Sequence, residues 1–274
     1  MASNQEQIDY WNGEAGQTWV EAQERLDGLL APISAALMDR ANVSASDRVI
    51  DIGCGCGETS MQLAGRGAAV WGIDISEPML AHARRRAGDS ERLRFTQVDA
   101  ATAEFTPDHS LLFSRFGVMF FADPVAAFRN LRGALARDGR LHFACWQTPR
   151  ENPWMAIAGR AVQPFLAEPE PAPDPRAPGP FAFADPDYLR GILEKAGFEG
   201  IELESIRPEL HIADSLDEAI DFQGRVGPVA RALAELEGER RQQALDAARE
   251  ALSGHMTDQG LNLGAAVWLV SAHD

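Results

Sequence analysis

From residue 48 to 146, short apolar runs rich in β-branched and aromatic residues alternate with stretches whose apolar positions recur at helical spacing. The runs are RVIDI (48–52), AAVWGID (68–74), LRFTQVD (93–99), SLLFSRF (110–116) and GRLHFACW (139–146). Between them MQLAGRG, MLAHARRRA and DPVAAFRNLRGALARDG carry the helical period. The last opens with Asp123-Pro124, suited to an N-cap and first helical position, and is expected to stop at Gly139. Such alternation specifies an α/β fold, a parallel sheet with helices on both faces. Upstream, residues 5–41 read as helical, with Leu26, Leu29, Leu30, Ile33 and Leu37 on one face. Downstream, the proline-dense stretch 164–180 is expected to be loop or extended. A helix at 185–197, a strand at 201–206, a charged amphipathic helical block at 215–254 and a buried strand at 264–272 follow. The expected organisation is an N-terminal helical segment (1–45), a core (46–150), a Pro-rich insertion (151–184) and the rest of the core (185–274). That last part carries a helical insertion at about 214–260.

Composition narrows the classes. Of 274 residues 45% are hydrophobic and 24% charged, ordinary for a globular chain. The formal net charge is −16, and Lys195 is the single lysine among 25 basic residues. So acidic a surface repels phosphate backbones, so no nucleic-acid partner is expected. Three cysteines cannot form a disulfide framework, which points to a reducing compartment, and a cytoplasmic location is expected. The apolar run 111–122 is interrupted by Arg115, and the first residues lack the pattern of a secretory signal, so no membrane association is expected.

The segment most suggestive of chemistry is Asp51-Ile52-Gly53-Cys54-Gly55-Cys56-Gly57, between a strand and a helix. Glycines there permit a tight turn and close approach of a ligand to the backbone, and the following helix presents its amides to an anionic group. The spacing is GxGxG, whereas a dinucleotide fingerprint needs GxGxxG and would place glycine at Glu58. Asp74 ends the second strand, where a carboxylate can accept from ribose hydroxyls. Asp99 ends the third, where one can accept from an adenine amino group.

With VIDIGCGCGETS (49–60), GIDISEPMLAHAR (72–84), QVDA (97–100), SRFGVMFFADP (114–124) and LRGALARDGRL (131–141), the chain resembles the class I S-adenosylmethionine (SAM) methyltransferases. It is most similar to their small-molecule branch of ubiquinone/menaquinone C-methyltransferase-like proteins. The resemblance covers roughly 48–146 and implies a Rossmann-like seven-stranded sheet with helical lid insertions. It also implies S-adenosyl-L-methionine as cofactor and methyl transfer to a small organic acceptor. Carried over by position, Asp51, Gly53, Cys54, Gly55 and Gly57 would hold the methionine part, and Asp74 the ribose. Ile75 would pack on adenine, Asp99 and Ala100 would read its edge, and the Ser114–Arg115 backbone would meet the amino group. Such proteins commonly open the fourth strand with an aspartate, where this chain has Ser110.

Other residues have plainer readings. Cys54 and Cys56 resemble half a metal site, but zinc needs four ligands and no second cysteine pair exists, so no metal is expected. His82 reads as a solvated surface group and His142 as a core histidine; no catalytic base is assigned. Glu168, Glu170 and Asp174 could ligate a cation, but loop solubility explains them equally. Tyr10, Trp11 and Trp19 surround Gly13 and Gly16 in a segment that cannot be regular helix throughout. Similar methyltransferases fold such a segment over the cofactor, which places Trp11 and Trp19 among the expected cofactor contacts; a hydrophobic strap is the alternative. Phe116, Trp146 and Trp154 follow strand ends where acceptor pockets form. The expected partner is a small-molecule methyl acceptor, with a homodimer left open. A protein or RNA methyltransferase, or a SAM-binding protein without catalysis, is the alternative function.

Overall fold

A computed structural model describes residues 4–166 and 174–274. β1 (Arg48–Ile52) is central, with Val49 and Ile50 fully buried and Ile52 nearly so. Burying each such side chain contributes about 1.5–3 kcal/mol. β2 (Ala69–Asp74) and β4 (His109–Arg115) pair with β1 in parallel. β3 (Leu93–Gln97) flanks β2, and β5 (Leu135–Trp146) flanks β4, again parallel. β10 (Val267–His273) lies antiparallel between β5 and β6 (Glu199–Ile206). The strand order is therefore β3-β2-β1-β4-β5-β10-β6. Chain direction across the sheet reverses between β1 and β4, and the carboxyl ends of strands at such a switch point open a ligand crevice.

Helices α4 (Glu58–Gly65), α5 (Glu77–Ala87), α6 (Pro124–Arg132) and α8 (Pro186–Ala196) connect the strands. Their starts are written locally. The Asp123 carboxylate accepts from Ala126 N at 3.0 Å and Asp185 from Asp187 N at 3.0 Å, each followed by proline at the first helical position. Residues 5–41 fold as α1 (Gln5–Asn12), α2 (Glu14–Glu21) and α3 (Gln23–Ala41), and α3 buries the five apolar residues that its periodicity assigned to one face. The break between α1 and α2 falls at Gly13, whereas Gly16 is helical.

Three boundaries differ from expectation. The helix expected to run to Gly139 ends at Arg132, and Leu135 already pairs with His109 in β5. The β4–β5 register shifts between Leu135 and Arg140, with Asp138 at φ +63°. The last strand starts at Val267 instead of 264, because Gly264 closes β9 (Gly260–Gly264). β9 pairs with β7 (Glu209–Ala213) and β8 (Met256–Thr257) in a small antiparallel sheet that the hydrophobic pattern did not announce. The block at 215–254 is three helices, α9 (Leu216–Gln223), α10 (Pro228–Ala234) and α11 (Gly238–Ser253). α7 (Pro153–Val162), from the insertion after β5, packs on α10 and α11. The two insertions thus form one cap beyond the ends of β4 and β5. Glu168 and Glu170 lie outside the described residues; Asp174 is exposed and accepts from Arg176 N at 2.9 Å. Among the described residues no helix is long and apolar enough to cross a membrane.

Candidate functional site

The turn after β1 explains why its glycines alternate. Gly53, Gly55 and Gly57 have φ of +65°, +54° and +84°, in the left-handed region that side chains disfavour. Gly53 N and Cys54 N both donate to Ile73 O, at 2.9 and 3.1 Å, tying the turn to β2. A Cβ at Gly53 would lie 2.7 Å from Gly117 Cα, so the loops after β1 and β4 touch backbone to backbone. The Cys54 and Cys56 side chains point inward and are buried, and burial pushes the Cys56 thiol up to about 12.

Asp51 is fully buried at the end of β1. Its Oδ2 accepts from Thr59 Oγ1 at 2.7 Å and Ser60 Oγ at 2.6 Å, both from α4. Its Oδ1 is buried without a hydrogen-bond partner among the described residues. Burial raises its pKa to about 6, against the lowering effect of the two hydroxyls and of Arg115. A buried carboxylate oxygen held ready by its twin is a seat for a cationic group such as an amino acid's ammonium.

Asp74, at the end of β2, accepts from Gly55 N and Ser76 N, both at 2.8 Å. Burial raises its pKa, opposed by the Ser76, Gly55 and Ile75 amides. Those amides hold the carboxylate at the rim and leave its remaining lone pairs available. Ile75 is half-buried next to it. Asp99 follows β3; its Oδ1 accepts from Ala101 N at 2.9 Å and from Asn4 Nδ2 at 2.8 Å. Asn130, from α6, holds Ala100 O at 3.1 Å. Ser114 Oγ donates to Ile52 O at 2.7 Å and accepts from Gly117 N at 3.2 Å, bracing β4 against β1. The Arg115 side chain turns away to α3, donating to Ser34 Oγ at 2.8 Å and reaching Asp27 at 3.4 Å. At the other end of β4, Ser110 donates to Asp47 Oδ1 at 2.7 Å. Arg140 also binds Asp47 and, with Ser110, outweighs burial to hold the Asp47 pKa well below the carboxylate range. Asp47 thus supplies, one strand over, the carboxylate expected at position 110.

The N-terminal segment crosses this rim. Trp11 O accepts from Ser76 Oγ at 2.7 Å. Asn12 Nδ2 donates to Ile75 O at 2.9 Å, and its Oδ1 accepts from Glu77 N at 3.0 Å. Asn4 bridges Asp99 and Ala122 N, the latter at 2.9 Å. The Trp11 ring meets Phe120 and Trp19 edge to face, at 5.4 and 5.7 Å. The segment is therefore fastened to the loops after β2 and β3, which carry the expected nucleoside contacts, and to the loop after β4. Trp11 lies at that rim, while Trp19 packs on the core beneath it. Asn4 and Asn12, which do most of the fastening, carry no motif by which sequence could single them out. A separate groove of about 470 Å³ between α6 and α8, lined by Asp123, Arg176, Tyr188 and Lys195, lies outside this constellation.

The family model described as a methyltransferase domain matches residues 49–139, from within β1 into the first part of β5. A demethylmenaquinone methyltransferase of Thermus thermophilus is 31% identical over 193 residues, covering 63% of this chain and 81% of that protein. A trans-aconitate 2-methyltransferase of Methylobacterium nodulans is 34% identical over 110 residues, covering 39% of this chain. The chain spans less than half of that relative, 42% of its length. Among solved structures, Haemonchus contortus phosphoethanolamine N-methyltransferase 2 in complex with S-adenosyl-L-methionine superposes with a TM-score of 0.62. It is 18% identical and the match covers all of this chain and 60% of that one, a likeness of fold.

Proposed function

Because the chain belongs to the class I SAM-dependent methyltransferases, we propose that it transfers the methyl group of S-adenosylmethionine to a small organic acceptor. The observation that carries this reading is the rim of three carboxylates on the ends of β1, β2 and just after β3, wrapped by the GxGxG turn. Each has free acceptor capacity of a different kind: the unpartnered Oδ1 of Asp51, the outer lone pairs of Asp74, and the second oxygen of Asp99. This set fits the cofactor, whose ammonium, ribose hydroxyls and adenine amino group are all donors. Asp51 and the glycine turn would hold the methionine part, Asp74 the ribose, and Asp99 with Ala100 the adenine edge, with Ile75 against its face.

When bound, S-adenosylmethionine supplies an electrophilic methyl group on a sulfonium sulfur. The chain's part is placement: aligning donor and acceptor supplies roughly 7–11 kcal/mol of a displacement barrier. The turn at Phe116–Gly117, locked against Gly53, sets the boundary between cofactor and acceptor, and the N-terminal segment excludes water from above. The acceptor is small because the crevice is roofed by the N-terminal helices and the cap, and because a −16 chain does not attract polyanions. Incubation with methyl-labelled S-adenosylmethionine and three acceptor pools (small-molecule extract, RNA, protein) tests this. Label should pass to the small-molecule pool; label appearing in RNA or protein alone contradicts it.

A further inference from the structure

We propose that the groove between α6 and α8 is a second ligand site, separate from the cofactor crevice, and that it binds a small dicarboxylate with an apolar middle. The groove holds about 470 Å³, a volume suited to a small molecule. It shares no residue with the carboxylate rim of Asp51, Asp74 and Asp99.

One face of α8 builds one wall of the groove. Tyr188, Gly191, Ile192 and Lys195 recur at helical spacing, and all of them line it. Gly191 stands in the interior of the helix, where glycine is less stable than alanine. Packing does not require it, because a Cβ there would meet no atom within 4 Å. The space beside Gly191 is therefore open groove, which a larger side chain would fill. Ile192 is buried behind it, and Pro124 and Val125 supply apolar surface from α6.

Two cations stand at the ends of this apolar stretch. Arg176 lays its guanidinium over the Tyr188 ring at 4.5 Å, and Lys195 lies about two turns further on, about 10 Å along the axis of α8. The loop carrying Arg176 is pinned by Gly179 N, which donates to Met119 O at 3.1 Å. Neither cation forms an ion pair among the described residues. The two carboxylates that also line the groove are placed at helix starts. Asp123 caps α6 through Ala126 N, and Asp187 lies in the first turn of α8. Helix amides offset both, so the uncompensated charge is positive at two points with apolar surface between them. A carboxylate at each end of a short hydrocarbon chain matches that pattern. A basic residue in the last turn of α8 also suits the helix terminus, but that accounts for neither Arg176 nor Gly191.

The test titrates the full-length protein with adipate, hexanoate and the uncharged dimethyl adipate, followed by nitrogen–proton spectra. Adipate should bind most tightly, hexanoate less, and the diester not measurably. Lys195→Gln should weaken adipate about fivefold, the size of a solvent-facing ion pair. Gly191→Leu fills the groove and should abolish adipate binding while melting at or above the wild-type temperature. Both variants should bind S-adenosylhomocysteine as the wild type does. Lys195 is the single lysine, so its acetylation is read at one peptide, and adipate should slow it. Adipate bound no better than its diester, bound equally by Gly191→Leu, or displaced by S-adenosylhomocysteine overturns the proposal, as does acetylation of Lys195 at an unchanged rate. A wild-type dimer that Gly191→Leu abolishes would give the groove to a second copy and overturn it too. Each of these outcomes leaves the cofactor reading intact.

Discussion

Asp74 is where the assignment is most exposed to a single substitution. Its carboxylate is spanned by Gly55 N and Ser76 N, so the ribose hydroxyls must use the remaining lone pairs. Charge-assisted hydrogen bonds are worth about 1.5–3 kcal/mol each. Asp74→Asn places a donor where an amide or hydroxyl must donate, and should weaken S-adenosylmethionine binding by roughly ten- to a hundredfold with the fold retained. Calorimetry giving wild-type affinity would remove Asp74 from the site. Asp51 adds a pH signature. Its folded pKa of about 6 lies above its ordinary 3.8, so between those values the folded state holds more protons than the unfolded one. Ionised Asp51 therefore costs stability above pH 6, about 3 kcal/mol at full effect, and that cost disappears as pH falls toward 4. Cofactor affinity should move the opposite way, weakening as Asp51 is protonated below about pH 6, and Asp51→Asn should flatten that profile. A wild-type affinity constant from pH 5 to 7.5 would mean that Asp51 is only a brace for α4. At this scale the glycines, Asp51, Asp74 and Asp99 were legible because strand ends and left-handed turns leave marks in sequence. The Asp47–Ser110 pairing was not, since it depends on which residues face each other across neighbouring strands.

The element with the most to reveal is α1. Among its described residues none is buried, and it is held by hydrogen bonds from Asn4, Trp11 and Asn12 and by the Trp11–Phe120 edge contact. An apolar strap would bury side chains, whereas a helix fastened by polar contacts to three loops at the strand ends is expected to behave as a lid. Gly16 is where α2 packs closely on the end of α1, because a Cβ there would lie 2.1 Å from Trp11 O and 3.0 Å from Ser76 Oγ. Gly16→Ala should therefore undock α1, weaken S-adenosylmethionine binding about tenfold and leave the melting temperature almost unchanged. Hydrogen exchange over residues 5–12 should slow on adding S-adenosylhomocysteine in the wild type and not in the variant. Equal protection with and without ligand, together with a large drop in melting temperature, would restore the strap. Element types were mostly readable from periodicity, and the failures have causes. The helix at 123–139 was overextended because Leu135 and Ala136 continue an apolar spacing that strand pairing with His109 overrides. The small sheet of β7, β8 and β9 escaped because its strands are two to five residues long and β7 pairs with β9 across some fifty intervening positions.

Across the whole molecule, the division of labour follows the chain. The segment from β1 to β5, most of which the methyltransferase-domain family model matches, builds the crevice. The N-terminal helices and the two insertions, which the family model does not cover, enclose the space where an acceptor would sit. A parallel α/β sheet was legible because strand–helix alternation leaves few topologies, whereas the cap was not, because α7 meets α10 and α11 across a long stretch of intervening chain. The formal net charge of −16 is expected to disfavour polyanionic partners. The most direct measurement is a crystal structure of the protein with S-adenosylhomocysteine. The account predicts the ribose on Asp74, the adenine edge on Asp99 and Ala100, and the amino group at Asp51 Oδ1. A nucleoside bound elsewhere, or bound in this crevice with its ribose away from Asp74, would contradict it.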